Sequence, residues 1–123
     1  MPTRPRVLLV DDHPSVLKAL GRVLAPECDV VGVIADGREA ADAAARLQPV
    51  VIVLDLNLPN ISGLEVCRQI RRGNPRARII VISAMTDDYI KDEVLAAGAA
   101  GFVDKSAAHE LVVAIRRIWT EPA

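Results

Sequence analysis

Five side chains of this chain could do chemistry together: Asp11, Asp12, Asp55, Ser83 and Lys105. Each stands at, or just past, the end of a short aliphatic run. Three carboxylates held close at neutral pH repel one another, because an ordinary Asp titrates near about 3.9. A hard divalent cation removes that repulsion. Mg²⁺ prefers oxygen ligands, keeps several waters and commonly shares its shell with a phosphoryl group. Lys105 adds a point charge that can balance an anion. Ser83 adds a hydroxyl donor. A carboxylate nucleophile beside a cation, an ammonium and a hydroxyl is a set suited to receiving a phosphoryl group. Charge on the transferring oxygens is what such a site must stabilise. The product at Asp55 would be an acyl phosphate.

These residues can act together only if the fold gathers them. Five runs rich in Val and Ile recur: Val7–Val10, Val30–Ile34, Val50–Leu54, Ile79–Ile82 and Phe102–Val103. They are mostly continuous rather than alternating, which suits strands buried on both faces. The stretches between them have helical spacing. Val16, Leu17, Leu20, Val23 and Leu24 share one face, as do Leu111, Val112, Ile115, Ile118 and Trp119. Glu39 to Leu47 is rich in alanine, Ile61, Leu64, Cys67 and Ile70 mark a third face, and Ile90, Val94 and Leu95 a weaker fourth. Asp36-Gly-Arg-Glu39 and Ser62-Gly-Leu-Glu65 have capping-box spacing. Ser106 and Asp87 or Asp88 are further expected caps, and Pro14 fits a first helical turn. Pro26, Pro49, Gly73-Asn74-Pro75 and Gly98 mark the stops.

The order is strand–helix repeated five times. It predicts one α/β domain over residues 1–123, a doubly wound, parallel, five-stranded (βα)5 sheet. Function in such sheets gathers at the carboxyl ends of the strands, where the five reactive side chains fall.

Composition narrows the function classes. There are 15 Lys+Arg against 16 Asp+Glu, a net charge of −1, which argues against a basic nucleic-acid face or a polybasic membrane anchor. No run of 18 apolar residues exists, so no membrane span is expected. Met1-Pro-Thr-Arg-Pro-Arg leads into only four apolar residues, too short for a secretory signal. Cys28 and Cys67 lie far apart with no C-x-x-C; a pairing between them is one reading, and two small hydrophobes in a reducing, cytoplasmic protein is the one adopted.

Four segments in order carry a resemblance: Leu9-Val10-Asp11-Asp12-His13-Pro14, Asp55-Leu56-Asn57-Leu58-Pro59 with Gly63, Ser83-Ala84, and Gly101-Phe102-Val103-Asp104-Lys105. Across nearly its whole length the chain resembles a receiver domain of a bacterial two-component response regulator, with the flavodoxin-like, CheY-like fold. The resemblance implies that Asp55 is the phosphoacceptor and that Mg²⁺ is held by Asp11, Asp12, Asp55 and the backbone carbonyl of Asn57. It implies that Ser83 and Lys105 contact the phosphoryl oxygens and that Phe102 is a switch aromatic moving in concert with Ser83. The expected donor is a sensor histidine kinase. His13-Pro14 and Lys105-Ser106 are similar to the NarL/FixJ-type subfamily, in which a receiver precedes a helix-turn-helix output domain. That implies a phosphorylation-dependent homodimer, and DNA contact only through an output domain outside this chain.

Other readings stay beside this one. Aspartates at strand ends also serve as helix caps. Phe102 could simply pack an edge, and Asn57 could only shape the turn before Pro59. The chain could be a stand-alone receiver working by protein–protein contact or in a phosphorelay. An aspartyl-phosphate phosphohydrolase needs a second acid two residues after the nucleophile, where Asn57 stands and cannot protonate a leaving group. A flavodoxin-like cofactor binder lacks a glycine-rich phosphate loop here. His13 reads as structural, since a transition-metal site wants more nitrogen or sulfur ligands. His109 reads as solvated on the first turn of the last helix. The Arg-rich stretches 68–72, 76–78 and 116–117 read as exposed faces, and Trp119 as packing the end of that helix.

Overall fold

The computed structural model describes residues 4–120. Met1–Thr3, which open the segment read as too short for a signal, lie outside the described residues, as do 121–123 of the expected domain. The strands are β1 (Arg6–Val10), β2 (Asp29–Ile34), β3 (Val51–Asp55), β4 (Arg78–Ser83) and β5 (Gly101–Asp104). The helices are α1 (Pro14–Leu24), α2 (Ala40–Leu47), α3 (Gly63–Gly73), α4 (Asp88–Ala96) and α5 (Ala108–Thr120). All strands pair in parallel in the order β2-β1-β3-β4-β5.

Alternation along the strands makes two cores. Leu8, Val10, Ile52, Leu54, Ile79 and Val81 face α2, α3 and α4 through Ala40, Ala43, Ala44, Val66, Cys67, Ile70 and Val94. Val7, Leu9, Val51, Val53, Ile80 and Ile82 face α1 and α5 through Leu20, Leu24, Leu111 and Ile115. The continuous runs of β1, β3 and β4 are thus buried on both sides, each large side chain contributing about 1.5–3 kcal/mol. The edge strand β2 departs from that expectation. It is only half-buried, with Val33 open to solvent, and it slips register against β1 between Val7 and Leu8. Cys28 and Cys67 are buried and unpaired, as expected of small hydrophobes.

The helix starts follow the sequence in part. Pro14 occupies the first turn of α1, Ser62 Oγ accepts the Glu65 amide, and Asp87 accepts the Ile90 amide. Two caps differ. Asp36 caps a 3-10 turn (Gly37–Glu39) that precedes α2, because it accepts from Arg38 N and pairs with the Arg38 guanidinium. Ser106 does not cap α5. Its amide and hydroxyl both donate to Asp104 Oδ1, at 2.9 and 2.8 Å, closing a turn that lets α5 begin at Ala108. Among the described residues no helix is long and apolar enough to cross a membrane.

The chain runs from β1 outward to β2, then crosses back to β3 on the other side. The strand order therefore reverses between β1 and β3, and their carboxyl ends open onto one crevice.

Candidate functional site

Asp11 follows the last residue of β1 and Asp55 is the last residue of β3, so the crevice places the two side by side. Both are only 1% exposed. The Asp11 amide donates to Ile34 O and the Leu56 amide to Ile82 O, so the neighbouring strands fix both backbones. Gly63 tightens the arrangement. Its amide donates to Leu56 O at 3.0 Å, and a Cβ there would meet Leu56 Cα at 2.7 Å and Asp55 O at 2.8 Å. Only glycine lets α3 start this close to the segment carrying Asp55 and Asn57.

Lys105, one residue past β5, reaches across β4 into the crevice. Its Nζ lies 3.0 Å from Asp55 Oδ2 and 3.2 Å from Asp11 Oδ2. The Lys105 amide donates to Ser83 O at 2.9 Å, which anchors the β5 exit to the end of β4. Burial, with the like charge of Asp11, pushes the Asp55 carboxyl above the ordinary carboxylate range against the pull of Lys105 and the Asn57 amide. Burial works to lower Lys105, but the hydrogen bond and charge of Asp55, with Asp11, hold its ammonium above the usual lysine value.

Asn57 is exposed, and its amide donates to Asp55 Oδ1 at 3.2 Å. Ser83 is fully buried, and its hydroxyl accepts the Met85 amide at 3.0 Å, so it is turned toward its own loop. Phe102 is half-buried and packs against the core under α4. Asp12 is the most open of the three acids, its side chain 31% exposed.

His13 is placed differently from its structural reading. Its Nδ1 lies 2.8 Å from Asp11 Oδ1, 3.2 Å from Asp12 Oδ1 and 3.6 Å from Asp55 Oδ2. The hydrogen bond with Asp11 raises its pKa. The reason is local. A residue before proline is confined to extended backbone, and His13 has φ −96° and ψ 107°. That conformation turns its ring back over the acid pair. The Asp-Asp-His-Pro run itself carries the signal, since the proline fixes the backbone of the histidine beside the acid pair.

The pocket is therefore not a set of unpaired acids. Lys105 and His13 stand among the carboxylates. Even so, Asp11 Oδ2 and Asp12 Oδ1 are buried atoms with no hydrogen-bond donor, which suits an oxygen-seeking cation. One ligand atom each from Asp11, Asp12, His13 and Asp55 falls within 4.8 Å of the others.

Elsewhere, His109 is exposed on the first turn of α5, as expected. The Arg stretches are mixed, since Arg71 Nη1 donates to Ala77 O at 2.9 Å and clamps the entry to β4. Trp119 lines a cavity of about 360 Å³ with Arg4, Pro26, Cys28 and Ile115, at the opposite end of the sheet from the acids.

Comparison with known proteins agrees with this geometry. Residues 7–116 match the family model described as the response regulator receiver domain. The chain is 37% identical over 117 residues to the response regulator GacA of Pseudomonas protegens, covering 93% of this chain and 55% of that protein. It thus spans about half the length of such relatives. Among solved structures it is similar to a LuxR-family two-component response regulator from an Aurantimonas species, with TM-score 0.88 and 36% identity over 94% of this chain and 84% of that one. It is also similar to the response regulator domain of Thermotoga maritima CheB, with TM-score 0.87 and 32% identity over 97% and 99%. The chain belongs to the response regulator receiver domain family, a signalling rather than a catalytic class.

Proposed function

We propose that this domain is switched by transfer of a phosphoryl group to Asp55 from a sensor histidine kinase. The observation that carries the reading is Lys105 Nζ, 3.0 Å from Asp55 Oδ2 in a crevice shared with Asp11 and Asp12. A carboxylate oxygen of Asp55 attacks phosphorus. The P–O bond forms as the bond from phosphorus to the donor's imidazole nitrogen breaks, and that nitrogen keeps the electron pair. Lys105 is placed to turn from the carboxylate to an oxygen of the incoming group, balancing its charge. Asp11, Asp12, Asp55 and the Asn57 carbonyl would hold Mg²⁺, which when bound neutralises charge on the phosphoryl oxygens. Asn57 has no acidic proton to offer, so loss of the acyl phosphate is slow and turnover limited. By the resemblance, Asn57 and Met85 stand at positions where this family tunes that lifetime.

The switch follows from Ser83. Its hydroxyl exchanges the Met85 amide for a phosphoryl oxygen, the loop from Ala84 to Asp87 shifts, and Phe102 turns into the space released. The face formed by α4, β5 and α5 then changes its affinity for partners. A phosphoryl group can bias these two states only through such differential contacts. The length of GacA and the LuxR-family likeness support a place for this domain at the N-terminal side of a NarL/FixJ-type transcription regulator in the cytoplasm. Homodimerisation on phosphorylation and DNA contact through the output domain belong to that reading. In NMR, Mg²⁺ with beryllofluoride should shift the resonances of Ser83 and Phe102 in the wild type and leave them unmoved in Asp55→Ala. Unmoved wild-type resonances, or the same shift in the variant, would refute the switch.

A further inference from the structure

We propose that the His13 imidazole is itself a ligand in the cation site, giving a mixed nitrogen–oxygen set that favours a divalent first-row transition cation. The inference rests on the cation-pocket reading above and adds one residue and a metal preference to it.

The geometry of the turn supports it. Asp11 Oδ1 accepts from the His13 backbone amide at 2.9 Å and lies 2.8 Å from Nδ1, so the turn is fixed and the ring nitrogen faces the acids; on cation binding the Nδ1 proton leaves to solvent and the nitrogen lone pair takes its place. Pro14 removes the helical alternative for the His13 backbone. With metal–ligand bonds of about 2.1 Å, adjacent ligands of an octahedron lie about 3.0 Å apart and opposite ones about 4.2 Å. Nδ1 is 2.8 Å from Asp11 Oδ1 and 3.2 Å from Asp12 Oδ1, both adjacent-ligand separations. The four candidate ligand atoms lie within 4.8 Å of one another, so no pair needs to close by more than about 0.6 Å to become opposite ligands.

A separate observation points to room for a further positive partner. Asp11 Oδ2 and Asp12 Oδ1 are buried atoms that accept no well-formed hydrogen bond, each meeting its cation, Lys105 and His13 respectively, only at an ion-pair distance of 3.2 Å. Lys105 Nζ is within hydrogen-bond distance of both His13 Nδ1, at 3.3 Å, and Asp55 Oδ2, at 3.0 Å, and the longer contact is the one a cation at Nδ1 would replace. Carboxylates alone suit Mg²⁺ or Mn²⁺, whereas an imidazole nitrogen raises affinity for later divalent metals such as Co²⁺ or Zn²⁺.

Pulsed EPR of the Mn²⁺-loaded chain reads the ligand directly. A nitrogen coupling from one imidazole is expected in the wild type and its loss in His13→Ala. By calorimetry, His13→Ala should weaken Co²⁺ binding by about tenfold or more and change Mg²⁺ binding by no more than about threefold. Bound Mn²⁺ without nitrogen coupling, or Co²⁺ binding equal in both proteins, overturns the role of His13 and leaves the acidic pocket standing. Failure of all three cations to bind the wild type overturns both readings.

Discussion

Gly63→Ala tests whether the close start of α3 sets the position of Asp55. A Cβ at Gly63 would sit 2.7 Å from both Leu56 Cα and Leu56 O and 2.8 Å from Asp55 O, where ordinary contact begins at 3.4 Å. The shortfall between 2.7 and 3.4 Å is about 0.7 Å, and the atoms in the way are backbone, which no rotamer change can move. Overpacking of this kind costs about 1–3 kcal/mol, offset by up to about 1 kcal/mol from replacing a helical glycine. A net loss of about 1–2 kcal/mol lowers the melting temperature of a domain this size by about 4–10 °C. The displaced segment carries Asp55 and the Asn57 carbonyl, so a misplacement approaching 1 Å should slow phosphoryl acceptance by about 10–100-fold. Thermal unfolding followed by circular dichroism, and the initial rate of phosphorylation by acetyl phosphate below the transition, measure the two effects. Gly21→Ala is the control, because its Cβ meets nothing within 4 Å in the middle of α1. It should melt at or above the wild type. If Gly63→Ala also melts like the wild type and is phosphorylated as fast, the claimed packing of α3 against Asp55 is wrong.

Asp55→Asn should melt higher than the wild type in EDTA, since burial and the charge of Asp11 together disfavour the carboxylate more than Lys105 favours it; a lower melting temperature would mean that the Lys105 pair dominates. His13 titrates above its ordinary 6.5 in the fold, so it contributes stability that is full below that value and lost as pH rises through the folded pKa. The metal-free melting temperature of the wild type relative to His13→Ala should therefore fall as pH rises above the ordinary histidine range through the raised folded pKa, and parallel profiles would contradict the ring's contact with Asp11. Mg²⁺ at about 100 times its dissociation constant should stabilise the wild type by about 2.7 kcal/mol, with the increment largely lost in Asp12→Ala; an equal increment in the variant would place the cation elsewhere.

Much of this was legible in the sequence because the same residues carry several signals. The aliphatic runs of β1, β3 and β4 are continuous because both faces are covered, and each stops at a residue of the site. Edge strand β2 has the same Val-rich composition with one side open, and composition does not record which strand stands at an edge. Ser106 has cap chemistry, but Asp104 two residues earlier competes for its amide and hydroxyl and wins. The acids were found as a group from their strand-end positions. What compensates them was only half visible. The sequence suits Lys105 to an incoming anion, and its pairing with Asp55 and Asp11 depends on the lateral order of β3, β4 and β5. His13 has no nitrogen partners nearby in the sequence, and its inward turn is encoded instead by Pro14, which fixes its backbone.

The most direct test of the account is the site of phosphoryl attachment. The purified chain would be incubated with a phosphorylated histidine kinase or acetyl phosphate and Mg²⁺, then reduced with borohydride and mapped by mass spectrometry. The account predicts one adduct, acyl-type and labile to hydroxylamine, at Asp55, lost in Asp55→Asn and when Mg²⁺ is chelated. A phosphoryl group found on another residue, or retained in Asp55→Asn, would contradict it.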